Sequence, residues 1–185
     1  MMISKKAFTP FPTLRTEHFI LRQLSNGDEN EIFILRSDAA VLKYLDIPQA
    51  KTIEDAKQLI TKINEGITNN EWIYWVITDK RNLKLLGTIC LWNISESPLK
   101  ADIGFMLLPE HQGKGIMQEV IPVVLDYGFN TIKFHKINGE VAPENLKSVR
   151  LLMRFGFVYE NGDERTSSYT LSDPCSIEHR TRNNA

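Results

Sequence analysis

One segment, residues 107–117, narrows the folds open to this chain more than any other. Its first residues continue an apolar strand pattern, glycines follow at positions 113 and 115, and a helical pattern begins at Ile116. A strand that turns directly into a helix aims several unpaired backbone N–H groups, and the positive end of the helix dipole, at one point in space. Glycine lacks the Cβ atom that would keep a phosphate away from the backbone, and Lys114 adds positive charge. The segment therefore predicts an anion site, suited to a phosphate or pyrophosphate, within an α/β fold.

Two well-known phosphate-binding motifs do not fit these glycines. A Walker A loop has four residues between its glycines and Lys-Ser/Thr near its end, whereas one residue separates Gly113 from Gly115 here. A dinucleotide fingerprint needs Gly or Ala three residues after Gly115, where this chain has Gln118. A Gly-x-Gly pair alone is also consistent with a helix start that binds nothing, so the surrounding motifs have to decide between the two interpretations.

The rest of the chain alternates between strand and helix patterns. Aromatic, β-branched and alternating apolar residues predict strands over residues 19–24, 72–78, 85–92, 101–108, 136–142, 157–160 and 167–171. Apolar residues at three- and four-residue spacing predict helices over residues 29–36, 40–44, 116–129 and 146–155, and one that starts at Thr52. Pro122 lies inside one of these helices, so we expect a kink there. The order predicts a single α/β domain with a mixed sheet.

Composition indicates an ordinary globular protein. The 185 residues are 42% apolar and 24% charged, which suits one domain with a full core. The net charge of −1 gives no general attraction to nucleic acid, and no window is apolar enough to span a membrane. Cys90 and Cys175 are far apart and no Cys/His cluster has metal-site spacing, so we expect free thiols, no metal and a cytoplasmic location. We expect an N-terminal extension over 1–13, the domain over 14–172 and a mobile tail over 173–185.

The glycine segment also matches a known cofactor loop. Residues 112–117 follow the pattern Gln-x-x-Gly-x-Gly/Ala, with Met117 in the last position. Further motifs occur in order around it: Leu14-Arg15-Thr16, Phe19-Ile20-Leu21-Arg22, Gly87-Thr88-Ile89, Ile103-Gly104-Phe105, Pro109-Glu110, Asp126-Tyr127-Gly128-Phe129, Pro143-Glu144-Asn145 and Gly156-Phe157. Over residues 14–160 the chain resembles the GNAT superfamily of N-acetyltransferases, and within it the ribosomal-protein N-terminal acetyltransferases of the Rim type.

The resemblance implies a fold, a cosubstrate and a reaction. The fold is a single GNAT domain with a mixed, mostly antiparallel sheet flanked by helices, in which a splayed strand pair binds the pantetheine arm of acetyl-CoA. The reaction is direct transfer of the acetyl group to a primary amine in a ternary complex, without a metal. A non-catalytic CoA-binding sensor or interaction module is the alternative. The implied cofactor-binding residues are Phe105, Met106, Leu107, Leu108, Gln112, Gly113, Lys114, Gly115, Ile116, Met117, Asn145 and Ser148.

Asp102 and Ser148 are the candidate catalytic residues. Related sequences often carry Glu at the position of Asp102, so we expect this carboxylate to act as base, directly or through a water; a solvated acid at a strand start is the alternative. Many members of the superfamily take the acid from a Tyr where this chain has Leu152. Ser148 is the remaining candidate acid, with hydrogen bonding to the cofactor arm as the alternative. Glu119 is expected to be structural, because an acid suits the first turn of a helix.

The sequence leaves the amine acceptor open. The resemblance points to a protein N-terminus, and a small molecule such as a polyamine is the other option. Acidic residues in the early helices are too few and too scattered to indicate a polyamine site. Trp72 and Trp75 face opposite sides of their predicted strand, so we expect one in the core and consider the other a candidate for lining the acceptor cleft. The resemblance also allows a homodimer, although no sequence feature specifies an interface.

Overall fold

The computed structural model describes residues 8–173, in which one eight-stranded sheet carries helices on both faces. Along the chain the elements are β1 (Leu14–Arg15), β2 (Phe19–Gln23), α1 (Glu29–Ser37), α2 (Ala39–Leu42), α3 (Ile53–Thr68), β3 (Ile73–Asp79), β4 (Leu85–Glu96), β5 (Leu99–Leu107), α4 (Ile116–Asp126), β6 (Lys136–Val141), α5 (Leu146–Arg154), β7 (Val158–Gly162) and β8 (Ser167–Ser172). A 3-10 turn, Pro109–His111, precedes α4, and a π-helical segment, Tyr127–Ile132, follows it directly.

The strands lie in the order β1-β2-β3-β4-β5-β6-β8-β7. Neighbouring strands are antiparallel except β5 and β6, which are parallel. A parallel pair requires a crossover connection, and α4 with its π-helical extension provides it. The predicted mixed sheet is therefore confirmed, and its parallel pair lies beside the glycine segment.

Trp75 marks the face of the sheet that packs against α4. Its side chain is fully buried and makes an edge-to-face contact with Tyr127, with 5.5 Å between the ring centroids. Its indole N–H donates to the carbonyl oxygen of Pro12 at 2.8 Å, and Phe11 packs against the ring edge. Phe8, near the beginning of the described chain, is also buried in this core. One aromatic residue thus joins β3, the crossover and the segment before β1.

The opposite face of the sheet is covered by α1 and α3. The side chain of Trp72 packs over Gly66 of α3, where a Cβ atom would lie 2.1 Å from the indole ring, and its N–H donates to the Ile63 carbonyl oxygen at 3.0 Å. Tyr74 alternates onto this same face, and Arg36 of α1 is its charged neighbour. Trp72 therefore fixes α3 on the sheet.

Local signals explain most helix ends. Thr52 accepts a hydrogen bond from the Asp55 N–H and Asp55 accepts one from the Thr52 N–H, so the predicted capping box at α3 is confirmed. Gly156 follows α5 with a φ of +84°, the left-handed conformation expected of a glycine after a helix. The α-helix continues through Pro122, and the irregularity expected there occurs instead as the π-helical segment that begins at Tyr127.

The central hairpin is longer than its sequence pattern predicts. β4 extends to Glu96 and β5 begins at Leu99, so only Ser97 and Pro98 separate the strands that the pattern predicts over residues 85–92 and 101–108. A β-bulge between Trp92 and Ser95 interrupts the pairing inside this extension. The short β1 and the 3-10 turn carry no strong sequence signal and were not predicted.

The part of the chain that the structure describes has neither a membrane-spanning helix nor a metal-binding cluster. Within residues 8–173, no helix has the length and apolar character that a membrane crossing requires. The same residues contain no group of three or more His, Cys, Asp or Glu side chains arranged to hold a metal ion. Cys175 and residues 174–185 of the predicted tail lie outside the described residues.

Candidate active site

β5 and β6 pair over three residues and then separate. The pairs are Lys100 with Lys136, Ala101 with Ile137, and Asp102 with Asn138. Beyond Asp102, β5 continues to Leu107 and pairs only with β4 on its other side. The β5 backbone groups that face β6 here have no strand partner in the described chain, so an extended ligand can add to them as a strand does. We call the space between β5 residues 103–107 and β6 the wedge. The splayed strand pair expected from the resemblance is this wedge.

The glycine loop, residues 108–115 between β5 and α4, lies at the open end of the wedge. Gly113 and Gly115 have φ values of +74° and +80°, and no protein atom lies within 4 Å of the position that a Cβ would take on either residue. Backbone N–H groups from Gly113 to Met117 make no hydrogen bond to the described residues. A run of free donors at the start of α4, with open space in front of it, fits a pyrophosphate group.

The loop is held rigidly onto the end of β5. The Gln112 side-chain amide donates to the Leu107 carbonyl oxygen at 3.2 Å, and the Leu108 N–H donates to the Leu86 carbonyl oxygen at 3.0 Å. Gln112 therefore ties the loop back to the last residue of the strand. Desolvation lowers the pKa of the adjacent His111, whose Nε2 atom is buried without a hydrogen-bond partner in the described chain. His111 is accordingly a neutral part of the loop's support.

Glu119 connects α4 to the turn before β2. Its carboxylate accepts hydrogen bonds from the His18 N–H at 2.7 Å and from the His18 ring at 2.9 Å. Burial opposes the ionisation of Glu119, but hydrogen bonds from Thr16 and His18 outweigh it and hold its pKa below the usual range. These contacts agree with the structural role expected for this residue.

Asp102 lies at the closed end of the wedge and is buried. The residue is only 5% exposed, so the interpretation as a solvated surface acid does not apply. Asn93 Nδ2 donates to one carboxylate oxygen at 2.7 Å, and Asn138 Nδ2 donates to the other at 3.2 Å. Neither asparagine is apparent from the sequence, because Asn138 reaches Asp102 through a strand pairing that follows a long crossover, and Asn93 through an irregularity in the pairing of β4 with β5.

A further set of polar groups continues outward from Asn138. The Thr170 hydroxyl lies 2.9 Å from Asn138 Oδ1 and 2.6 Å from Glu160 Oε2, so its one proton serves two acceptors. The Thr170 hydrogen bond, followed by the positive charge of Lys136, lowers the pKa of Glu160. The cluster leads from the buried Asp102 to the solvent-exposed edge of the sheet.

The sheet face that carries Asp102 also presents an aromatic residue and a thiol. Trp92 pairs with Asp102 across β4 and β5 and is 45% exposed, with its indole nitrogen 3.5 Å from the position of a Cβ on Gly104. Cys90 lies on the other side of Gly104, and burial raises the pKa of its thiol to about 12. Trp92, rather than the sequence candidate Trp72, therefore lines the surface next to Asp102.

The start of α5 lies at the same end of the sheet as the glycine loop, because β5 and β6 are parallel and both lead into these helices. Asn145 caps α5 by accepting a hydrogen bond from the Ser148 N–H at 3.3 Å. The Ser148 hydroxyl makes no hydrogen bond to the described chain. Leu152 is buried against Gly139 and offers no acidic proton. Ser148 thus flanks the wedge, and no hydrogen bond joins it to Asp102 within the described residues.

A glycine loop at a helix start and a wedge in a mixed sheet are the features expected of a CoA-dependent acyltransferase. The family model of the acetyltransferase (GNAT) domain matches residues 18–158, and the chain belongs to this family. In sequence the chain is 31% identical over 174 residues to the uncharacterized N-acetyltransferase YoaA of Bacillus subtilis (strain 168), an alignment that covers 89% of this chain and 98% of that protein.

Two solved structures share the fold over most of their length. One is spermidine N-acetyltransferase from Vibrio cholerae in complex with CoA and spermine, with a TM-score of 0.74 and 28% identity over 84% of this chain and 95% of that chain. The other is ribosomal-protein-S5-alanine acetyltransferase from Vibrio fischeri, with a TM-score of 0.75 and 26% identity over 88% of this chain and 97% of that chain. The GNAT resemblance is confirmed, and the protein is an N-acetyltransferase that uses acetyl-CoA to acetylate an amine.

Proposed function

We propose that Asp102 is the base of a direct acetyl transfer from acetyl-CoA to a primary amine, both held in one ternary complex. The observation that carries this proposal is the position of Asp102, where β5 and β6 separate. The glycine loop begins about 16 Å away, five residues further along an extended strand. The wedge between these two points has the length and shape for an extended cofactor arm.

The cofactor would be held mostly by backbone groups. In this proposal the N–H groups of residues 113–117, with Lys114, bind the pyrophosphate. Phe105, Met106, Leu107 and Leu108 bond the pantetheine arm along the open edge of β5, and Asn145 and Ser148 bond it from the start of α5. Backbone donors need no particular side chain, which is consistent with the ordinary apolar residues along this strand.

Asp102 would act on the amine before and during attack. An ammonium group gives one proton to the Asp102 carboxylate, and the freed nitrogen attacks the thioester carbonyl carbon. As the C–S bond breaks, the nitrogen loses its second proton to the thiolate, directly or through water. Ser148 supports the cofactor arm near the sulfur, or relays this proton by giving its own hydroxyl proton to the thiolate and receiving the proton that the nitrogen loses. Asp102 returns its own proton to water, and the cycle is complete.

The state of Cys90 favours direct transfer over a covalent acyl-enzyme. This thiol lies on the same face as Asp102, opposite Gly104, but burial raises its pKa to about 12. Only about one molecule in 10⁵ would carry the thiolate at neutral pH. An acetyl group carried on Cys90 would therefore form too slowly to contribute.

Charge near the acceptor face favours a protein N-terminus over a polyamine. Arg36 of α1 is half-buried near Tyr74, its side chain donates to the Pro48 carbonyl oxygen at 3.4 Å, and it has no carboxylate partner in the described chain. A polyamine carries several positive charges, which an unpaired guanidinium repels. The similarity to ribosomal-protein-S5-alanine acetyltransferase supports the Rim-type assignment, whereas the similarity to spermidine N-acetyltransferase keeps a polyamine as the second candidate.

We place the reaction in the cytoplasm, in agreement with the free thiol of Cys90.

Titration calorimetry followed by an acceptor screen tests this proposal. We expect acetyl-CoA to bind with micromolar affinity and NAD not to bind. A panel of peptides with free N-termini, spermidine and simple primary amines is then assayed for acetyl-CoA consumption. Turnover of peptides above that of spermidine supports the first candidate, and the reverse order supports the second. Binding without turnover of any amine would refute the catalytic proposal.

A further inference from the structure

We propose that Asn93 and Asn138 are positioning residues that hold the Asp102 carboxylate in the orientation in which it meets the amine. This inference rests on the proposed function, in which Asp102 is the base. Asn93 comes from β4 and Asn138 from β6, so the two donors approach Asp102 from both neighbouring strands. Each asparagine occupies one carboxylate oxygen. A carboxylate has about four acceptor sites, so at least two stay available to an incoming ammonium group.

Asn93 reaches Asp102 only because β4 contains a bulge. Trp92 pairs with Asp102 and Ser95 with Lys100, so two residues of β4 oppose the single residue Ala101. In a regular strand, residue 93 would point to the face opposite that of Trp92. The bulge instead gives Asn93 a left-handed φ of 50° and turns its amide onto the carboxylate at 2.7 Å. A strained backbone that serves to aim one side chain is typical of a functional site.

Asn138 belongs to the last pair before the strands separate. Its amide nitrogen faces Asp102, and its oxygen faces the Thr170 hydroxyl. The reverse orientation would place the amide oxygen against a carboxylate oxygen, two acceptors in contact. Asp102 and Thr170 therefore fix the amide so that its donor points toward the start of the wedge.

These two amides are the side-chain donors to the Asp102 carboxylate within the described chain. Charged groups on the same face include Lys100, Lys136 and Glu160, and these interact with one another. None of the three forms an ion pair with Asp102 within the described chain. The orientation of the carboxylate therefore depends on the two asparagines, and loss of either amide should let the carboxylate rotate away from the start of the wedge.

The test compares Asn93→Gly and Asn138→Ala with matched controls. Glycine at position 93 accepts the left-handed backbone, so this variant removes the amide without adding strain. We expect kcat to fall about tenfold or more in each variant, with acetyl-CoA affinity unchanged. Asn70→Gly, at a left-handed asparagine with φ 58°, and Asn161→Ala, on β7, should leave both measurements unchanged.

A second measurement does not depend on turnover. Carbon-13 NMR of aspartate side chains at one fixed pH, with Asp102→Asn used for assignment, reports the carboxyl resonance of Asp102 in the wild type and in each variant. Asn93→Asp keeps the side-chain shape but replaces the donor with an acceptor, so it should displace this resonance more than Asn93→Gly does. An Asp102 resonance that stays in place in the folded variants overturns the positioning role, even if Asp102→Asn abolishes turnover and the proposed base stands. If Asp102→Asn retains full turnover, the base assignment fails and this inference fails with it.

Discussion

At the scale of single residues, the site depends on a buried carboxylate and two left-handed glycines. Asp102 is buried, and its carboxylate accepts hydrogen bonds from two neutral amides. Gly113 and Gly115 keep the space in front of the α4 N–H groups open. In the proposed function Asp102 receives the amine and the two glycines lie against the phosphates, so substitutions at the two places should have separable effects.

Asp102→Asn should abolish most turnover and leave cofactor binding intact. An amide cannot accept a proton, and loss of a general base typically lowers rates by about 10²–10⁴-fold. We expect kcat/KM to fall in this range while the Kd for acetyl-CoA changes less than about threefold, as measured by steady-state kinetics and calorimetry. Full activity of the folded variant would show that Asp102 only supports the sheet.

Gly115→Ala should weaken acetyl-CoA binding beyond its effect on stability. Its φ of +80° disfavours any Cβ by about 1–2 kcal/mol, and a methyl group would enter the space in front of the loop. Gly156→Ala is the matched control, since Gly156 has a φ of +84° at the end of α5. Both variants should lose similar stability in urea unfolding, whereas only Gly115→Ala should raise the Kd, by about tenfold or more. Equal affinities in the two variants would mean that the loop does not bind the cofactor.

At the scale of elements, short contacts fix how each helix leaves the sheet. Asp28 immediately precedes α1 and is 5% exposed. It accepts hydrogen bonds from both Arg22 Nη atoms, at 2.6 and 2.8 Å, and from the Ser25 N–H at 2.9 Å. One carboxylate therefore joins the end of β2, the loop and the start of α1, the helix that carries Arg36.

Asp28→Asn should destabilise the protein in a pH-dependent way. Burial opposes ionisation, but the hydrogen bonds from Arg22 and Ser25 prevail and lower the pKa of Asp28. A carboxylate with a lowered folded-state pKa contributes stability above its unfolded value and loses it as the pH falls through the folded value. We expect the variant to lose about 2 kcal/mol at pH 7, with a smaller loss below about pH 3. Thermal unfolding across this range is the measurement, and Asp46→Asn, at an exposed acid, is the control. A pH-independent loss would contradict the ion-pair explanation.

The elements also show what the sequence could predict. The start of α3 at Thr52 and the strand-to-helix glycine loop depend on residues within a few positions of one another, and both were recognised from their local patterns. The bulge at Asn93 and the pairing of Asn138 with Asp102 depend on registers between strands, which tertiary packing decides. The sequence therefore predicted the loop and named Asp102 as the base, but it could not predict the groups that hold the carboxylate.

At the scale of the whole molecule, the sheet has two parts that meet at a short seam. β1 to β5 form one part, and β6, β8 and β7 form the other. Three residue pairs between β5 and β6 join them in the sheet, and the wedge separates them beyond Asp102. A ligand that adds to the open edge of β5 would therefore supply hydrogen-bond partners where β6 no longer does. Cofactor binding would in this way make the connection between the two parts of the sheet more rigid.

Hydrogen exchange should reveal this coupling directly. In the free protein the outward-facing amides of residues 103–107 and those of residues 113–117 lack protein acceptors, so they should exchange quickly. Saturating acetyl-CoA should slow both groups and raise Tm, because a ligand that binds only the folded state stabilises it by mass action. The exchange rates of the β7 amides should not change, because β7 is an exposed edge strand on the far side of the sheet. At an acetyl-CoA concentration near the wild-type Kd, both groups should be less protected in Gly115→Ala than in Gly156→Ala. Protection of residues 113–117 alone would place the phosphates but not the arm in the proposed site, and protection of neither group would exclude the wedge as the acetyl-CoA site.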